Sequence, residues 1–375
     1  MAQFYQVDRL FDGERFIEPA WLSVADGAIV ALGHGDAPAP ATPLHGTLVP
    51  GFIDVQVNGG GGVLFNAEPT LAGLGQIIQA HARYGSTGLM PTLITDELAV
   101  IRRAADAVAA GRRQGLPGLL GVHFEGPHLS VAKKGVHSPE FIRPISDEEM
   151  AQYCRQDLGV VMVTVAPERM SLQQIAQLVE AGVRVCLGHS NADAQTVNAA
   201  LRAGASGFTH LFNAMSPFTS REPGMVGAAL LDETAWCGLI VDGHHVHRDS
   251  LRLALKIRPA DKMLLVTDAM PPVGAAGSEF ELMGRAITRQ GDKLTAPSGE
   301  LAGSVLDMAS AVRNSLAWLG LEQAQVLKMA GRYPAEFLGL APHYGRLQSG
   351  SVADMVLLDG ALQVQQTWIG GQPQQ

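Results

Sequence analysis

The sequence predicts an α/β chain: a (β/α)8 barrel of the TIM type, with a small β-sandwich domain built from both chain ends. Three observations predict it. Eight apolar runs bounded by Gly, Pro or Asp recur through the middle of the 375 residues, segments of helical periodicity separate most of them, and short alternating β-like runs are confined to the two ends.

Residues 1–48 alternate in short runs such as "FIEPAWLSVADGAIVALG", and residues 345–375 do the same in "GRLQSGSVADMVLLDGALQVQQTWIGGQ". Neither stretch is long enough to bury a good core alone, so the two are expected to join as one β-sandwich. Between them, over 49–344, the runs are "GFIDVQVN", "GLMPTLIT", "LLGVHFEG", "VVMVTVAP", "VRVCLGHS", "GFTHLF", "WCGLIVDG" and "MLLVTDAM". The intervening "LAGLGQIIQAHARYG", "ELAVIRRAADAVAAGRRQG", "SLQQIAQLVEAG" and "DAQTVNAALRAG" carry apolar residues three and four apart and end at Gly, as helices do. Continuous apolar strands alternating with helices imply a parallel sheet covered on its outer face, and eight such units suggest a closed barrel. After the eighth run, 279–299 reads as a β-hairpin insertion, and "VLDMASAVRNSLAWLG" with "EQAQVLKMAGRYPAEFLGL" read as closing helices.

Composition excludes several classes. The net charge is −9 and no stretch gathers enough Lys and Arg for a nucleic-acid footprint. The opening "MAQFYQVDRLFDGERF" has no apolar core of a signal peptide, and no run approaches the ~18 apolar residues that span a bilayer, so a cytoplasmic protein without a membrane partner is expected. Cys154, Cys186 and Cys237 are widely spaced and odd in number, which suggests neither a disulfide framework nor a zinc knuckle.

A barrel places its reactive groups at the C-terminal ends of its strands. Glu125 closes the third run, His189 the fifth and His210 the sixth; His244 and His245 follow the seventh, and Asp268 closes the eighth. One carboxylate and two imidazoles from different strands could supply three ligands to a catalytic divalent metal and leave a position open for water. Asp268 could then shuttle the proton from that water to a leaving group. Taken singly, a strand-end His or Asp is more often a hydrogen-bonded structural residue; together on one face they raise one another's odds.

In order and spacing, "PGFIDVQVNG", "HFEGPHLSVAKKGVH", "LGHSNA", "THLFNAMSPFTSREPG", "VDGHHVH" and "LVTDAM" resemble the motifs of the N-acetylglucosamine-6-phosphate deacetylases of the amidohydrolase superfamily. The resemblance covers nearly the whole chain. It implies that Glu125, His189 and His210 bind one divalent metal, zinc first among zinc, ferrous iron and manganese, and that Asp268 is the general base and acid. It implies substrate contacts from His137, Asn213, Ala214 and His245. Arg221 would pair with the phosphate, reaching in from the partner of a homodimer. The implied reaction is hydrolysis of N-acetylglucosamine 6-phosphate to glucosamine 6-phosphate and acetate, with a related N-acylated amino sugar (the galactosamine epimer or an unphosphorylated sugar) or a non-catalytic scaffold as alternatives.

Gln56 and Asn58 depart from the superfamily, where the first strand commonly ends in His-x-His and serves a second metal. Neutral amides are weak ligands beside imidazole, which argues for one metal rather than two and places Gln56 and Asn58 outside its ligand set. His123, two residues before Glu125 and on the same side of the strand, reads as a neighbour of the ligands. "NGGGG" lacks the lysine and helix of a phosphate-binding P-loop, and Lys133 and Lys134 read as a lid or solvated loop. His244 and His247 read as polar loop residues.

Overall fold

In the computed structural model, which describes residues 2–277, 279–297 and 299–374, all eight apolar runs become the strands of one parallel sheet. They are Phe52–Val57, Ser86–Ile94, Gly121–Glu125, Val160–Val165, Arg184–Leu187, Gly207–Phe208, Trp236–Leu239 and Met263–Leu265, each hydrogen-bonded to the next in chain order. The first four are buried almost from end to end, as expected of strands with a packed barrel interior on one side and helices on the other. The first and eighth strands share no ladder of their own. Their seam is closed just above them, where Val57 and Ala269 form a parallel bridge.

The helices start where local chemistry allows. Thr70 caps Leu71–Ala82 by accepting from the Gly73 N–H, Ser171 and Gln174 form a reciprocal capping box on Leu172–Glu180, and Asp193 caps Ala194–Arg202. After the barrel, Met308–Leu319 ends at Gly320 in the left-handed conformation. The second closing segment is two helices, Gln323–Ala330 and Arg332–Leu338, broken at Gly331.

The two chain ends meet as expected. Strand Gln3–Phe11 runs parallel to Ala41–Pro50, which pairs antiparallel with Met355–Leu358 from the other end of the chain. Their sheet encloses a separate core of Tyr5, Val7, Leu10, Leu22, Leu48, Met355 and Trp368. A cluster of charges fastens it to the closing helices: Glu14 pairs with Lys328 at 3.2 Å, with Arg346 at 3.6 Å and with Arg332.

The expected hairpin is larger than its sequence suggests. Four antiparallel strands, Glu279–Leu282, Arg285–Gln290, Lys293–Thr295 and Leu301–Ser304, form a sheet whose Leu282, Ile287, Leu294 and Ala302 pack with Leu64, Ile94, Val136 and Met270. "LAGS" is too short and too small to announce a strand by alternation; its pairing with Lys293–Thr295 makes it one.

Asp354, buried where the small domain joins the barrel, accepts from the Gly370 N–H at 2.7 Å. Burial pushes its carboxyl up to about 7, against hydrogen bonds from Gly370 and Thr87. The folded state therefore holds this proton more tightly than the unfolded chain. The resulting stability is complete below about pH 4 and is lost as the pH rises through about 7. Asp354→Asn keeps the acceptor for Gly370 and removes the buried charge, so it should melt about 3 °C or more above the parent at pH 8, with the gain shrinking towards pH 5. An equal shift at both pH values in a thermal melt would show that ionisation is not the cause.

Candidate active site

Glu125 ends the third barrel strand, while His189, His210 and Asp268 follow the fifth, sixth and eighth. Glu125, His189 and His210 are almost completely buried, and Asp268 is half-buried beside them. Glu125 Oε1 lies 3.0 Å from His210 Nε2 and 3.2 Å from His189 Nε2, and the two Nε2 atoms are 3.1 Å apart. His189 Nδ1 donates to the Lys133 carbonyl oxygen at 2.8 Å, which orients the ring with Nε2 towards Glu125. These three donor atoms are the one His/Cys/Asp/Glu group among the described residues close enough together to hold a metal ion.

Protonation follows the same geometry. Burial opposes the charged form of Glu125, but the contacts from His189 and His210 outweigh it and hold its carboxyl well below the usual range. For His210, burial is overcome by the hydrogen bond and charge of Glu125, which raise its pKa. Asp268 is shifted upward, first by burial and then by the charge of Glu125. His137 is driven well below its usual value by burial and by His189, so its ring is neutral at pH 7.

Backbone strain concentrates here. His189, His210, Ala214 and Asp268 adopt φ of +45°, +35°, +50° and +53°, four of the eight described non-glycine residues with positive φ. Each costs on the order of 1–3 kcal/mol and persists only where its surroundings hold it. At Gly303, with φ +64°, an added Cβ would lie 2.6 Å from the Met270 side chain and 2.9 Å from the Asp268 carbonyl oxygen, so only glycine fits.

Gln56 lies between the two carboxylates, and Asn58 lies against Asp268. Asn58 Nδ2 donates to Asp268 Oδ1 at 2.6 Å, and Gln56 Nε2 lies 3.2 Å from the same oxygen and 3.4 Å from Glu125 Oε2. A neutral donor, the Gln56 amide, thus stands between acceptors that a second cation would otherwise bridge, with Asn58 holding one of them. Among the described residues, both of these hydrogen bonds to Asp268 fall on Oδ1.

These groups open onto a cavity of about 410 Å³, lined also by His137, Asn213, Ala214 and His245. That size suits a small-molecule ligand. His137 Nδ1 lies 2.7 Å from Thr95 Oγ1, leaving Nε2 for the cavity. His245 Nδ1 lies 2.6 Å from Asp242 Oδ2, and the same carboxylate accepts from the His244 and His245 N–H groups. The structure also supplies residues that the sequence did not announce: Asp242, which orients His245, and Lys133, Met270, Glu300, Leu301 and Gly303 in the cavity wall. Asp242, in "VDGHHVH", could have been found by its spacing of three from His245.

Other residues fall elsewhere. His123 is held between two threonines, with Nδ1 3.1 Å from Thr92 Oγ1 and Nε2 2.7 Å from Thr164 Oγ1, near enough to the cluster to feel the charge of Glu125, and burial lowers its pKa to about 4. His244 meets Asp292 at 2.9 Å, and His247 caps the helix Arg248–Ile257. Arg221 is exposed on the loop before Gly224–Leu231 and does not line the cavity of its own chain.

A barrel with a buried Glu–His–His cluster and a carboxylate at the end of its eighth strand defines a metal-dependent hydrolase, and residues 47–374 match the amidohydrolase family, to which the chain belongs. Its relatives narrow the class. It is 51% identical over 327 residues, 87% of this chain and 83% of that protein, to the N-acetylgalactosamine-6-phosphate deacetylase of Shewanella sp. (strain ANA-3). It is 34% identical over 327 residues, 86% of this chain and 85% of that protein, to the N-acetylglucosamine-6-phosphate deacetylase of Haemophilus influenzae. The crystal structure of N-acetylglucosamine-6-phosphate deacetylase from Pasteurella multocida superimposes with a TM-score of 0.95 at 33% identity, covering 100% of this chain and 99% of that one.

Proposed function

We propose that the protein hydrolyses the N-acetyl group of N-acetyl-D-glucosamine 6-phosphate to D-glucosamine 6-phosphate and acetate, in amino-sugar metabolism. The observation that carries this reading is the Glu125–His189–His210 cluster with Asp268 beside it, in a chain whose relatives are deacetylases of amino-sugar phosphates. A second reading, the C4 epimer N-acetylgalactosamine 6-phosphate, is favoured by the 51% identity to a protein of that name.

Glu125, His189 and His210 would hold one divalent metal ion, and Glu with two His is a donor set that suits catalytic zinc. The ion supplies Lewis acidity and makes water acidic enough to attack near neutral pH. The chain's own residues do the rest. Asp268, its Oδ1 held by Asn58 and Gln56, takes the proton of the attacking water and delivers it to the amine nitrogen as the amide C–N bond breaks and the new C–O bond remains in acetate. Its upward shift makes it the better base for that step. His137 and His245, each anchored through Nδ1, present their other nitrogen to the sugar. Asn213 and Ala214 lie in the same wall.

Arg221 completes the site from a second copy in this reading. Its exposure and its absence from the cavity lining of its own chain support that arrangement, as does the exposed apolar Phe218 three residues before it, which lies against Gly227. A cytoplasmic setting belongs to the same reading, because a sugar phosphate carries charge that a membrane retains.

Acetate release by the purified, metal-loaded protein, assayed with both epimers and with the unphosphorylated sugar, tests the proposal. A ratio of kcat/KM favouring the galacto epimer by more than about tenfold would select the second reading, and release from neither would overturn both. Metal analysis is an independent check: about one equivalent per chain is expected, lost in Glu125→Ala and kept in Gln56→Ala. Two tightly held equivalents, both needed for activity, would be inconsistent with the role given to the amides.

A further inference from the structure

Asp54, the first polar residue of "GFIDVQVN", is completely buried two positions before Gln56, beneath the active site rather than in it. Its carboxylate accepts three hydrogen bonds. Oδ1 takes the Gln56 N–H at 3.1 Å and the Thr267 N–H at 3.3 Å, and Oδ2 takes the Thr267 hydroxyl at 2.5 Å. Two of the three cross the seam where the first and eighth barrel strands share no ladder. The Asp54 side chain thus reinforces a seam that a single backbone bridge, Val57 with Ala269, closes where every other neighbouring strand pair has a ladder.

What hangs from that link is Asp268. Its N–H donates to the Gln56 carbonyl oxygen at 3.0 Å, and its carboxylate receives Gln56 and Asn58 from the same strand. Its φ of +53° is a conformation that a non-glycine residue leaves unless held. Thr267 is the fixed point before it: its hydroxyl is bound to Asp54, and its carbonyl oxygen accepts from Ser304 Oγ at 2.6 Å. On the other side, the Asp268 carbonyl oxygen accepts from the Ser304 N–H at 2.9 Å.

We propose that Asp54, acting through the Thr267 hydroxyl, is a positioning residue for the reaction, holding Asp268 in its left-handed conformation and in register with Asn58. The inference rests on the deacetylase reading for its kinetic consequence but not for its geometry. Burial raises the Asp54 carboxyl to about 7, despite the donors around it, so an uncharged amide is a close replacement. Asn at this position keeps an oxygen for the two N–H groups and offers its amide to the Thr267 oxygen. Ser at position 267 keeps the hydroxyl, whereas Val has the shape of Thr without it.

The test compares Asp54→Ala and Thr267→Val with Asp54→Asn and Thr267→Ser as metal-loaded enzymes. The first two should lose about 10²-fold in kcat, the scale of a misplaced reacting group, with the metal content unchanged and the KM for N-acetylglucosamine 6-phosphate within about threefold of the parent. The conservative pair should stay within about fivefold of the parent in kcat. Wild-type kcat in Thr267→Val, or a matching loss of kcat in Thr267→Ser, would overturn the proposal. Should Asp54→Ala fail to fold, Thr267→Val carries the test. A crystal structure of Thr267→Val decides it independently of substrate: the inference expects Asp268 to leave φ near +53° or to lose its 2.6 Å contact with Asn58, and is wrong if both persist. Absence of acetate release by the parent enzyme would refute the deacetylase reading alone.

Discussion

Asp268→Asn should bind metal and substrate normally and turn over about 10²–10⁴-fold more slowly, the usual scale of general acid–base catalysis. The substitution keeps the shape and an oxygen to accept from Asn58 Nδ2 and Gln56 Nε2, so the geometry at the end of the eighth strand is preserved. What it removes is the site that takes a proton from water and returns it to the amine. Both halves of that exchange are lost together, so the loss belongs in kcat rather than KM. Steady-state kinetics with metal analysis on the same preparation checks this, and near-normal turnover would remove Asp268 from the mechanism.

Arg221→Ala should weaken kcat/KM for the phosphorylated sugar by about 30- to 5,000-fold, the equivalent of about 2–5 kcal/mol for a charge-assisted pair left unmade. Activity on the unphosphorylated sugar should change much less. Arg suits this task because its planar fork of donors can engage two phosphate oxygens. Arg221 does not line its own chain's cavity, so the loss should be complemented in trans. Mixing Arg221→Ala with Asp268→Asn, under conditions that allow subunits to exchange, places the intact Asp268 and the intact Arg221 at one shared site in each heterodimer and should restore part of the activity. Equal losses on both sugars would show that Arg221 does not read the phosphate, and failure to complement would place it in its own chain's site.

The barrel was legible because its signals are local. A parallel strand covered on both sides must be apolar throughout, as in "VVMVTV" and "GLMPTLI", and a helix lying on it must repeat its apolar residues every three or four positions, as Ile175 and Leu178 do. Strand ends then place Glu125, His189, His210, His244, His245 and Asp268 on one face, and the resemblance to the deacetylases singles out Glu125, His189 and His210 among them as metal ligands. The insertion was only half legible, since Leu301–Ser304 is a strand by virtue of its partner and not of its own alternation.

What the sequence by itself determined is the order of strands and helices, the barrel they imply and the face on which the reactive groups gather, because each follows from the periodicity and end chemistry of a short segment. Only the tertiary structure decided which nitrogen of His189 faces Glu125, that Gln56 bridges two carboxylates while Asn58 holds one of them, that His123 turns to Thr92 and Thr164, and that Asp54 secures Thr267 from more than two hundred residues away. The physical reason is that a hydrogen bond is made between neighbours in space, over about 3 Å, and closing a barrel brings together residues whose separation along the chain says nothing of their contact.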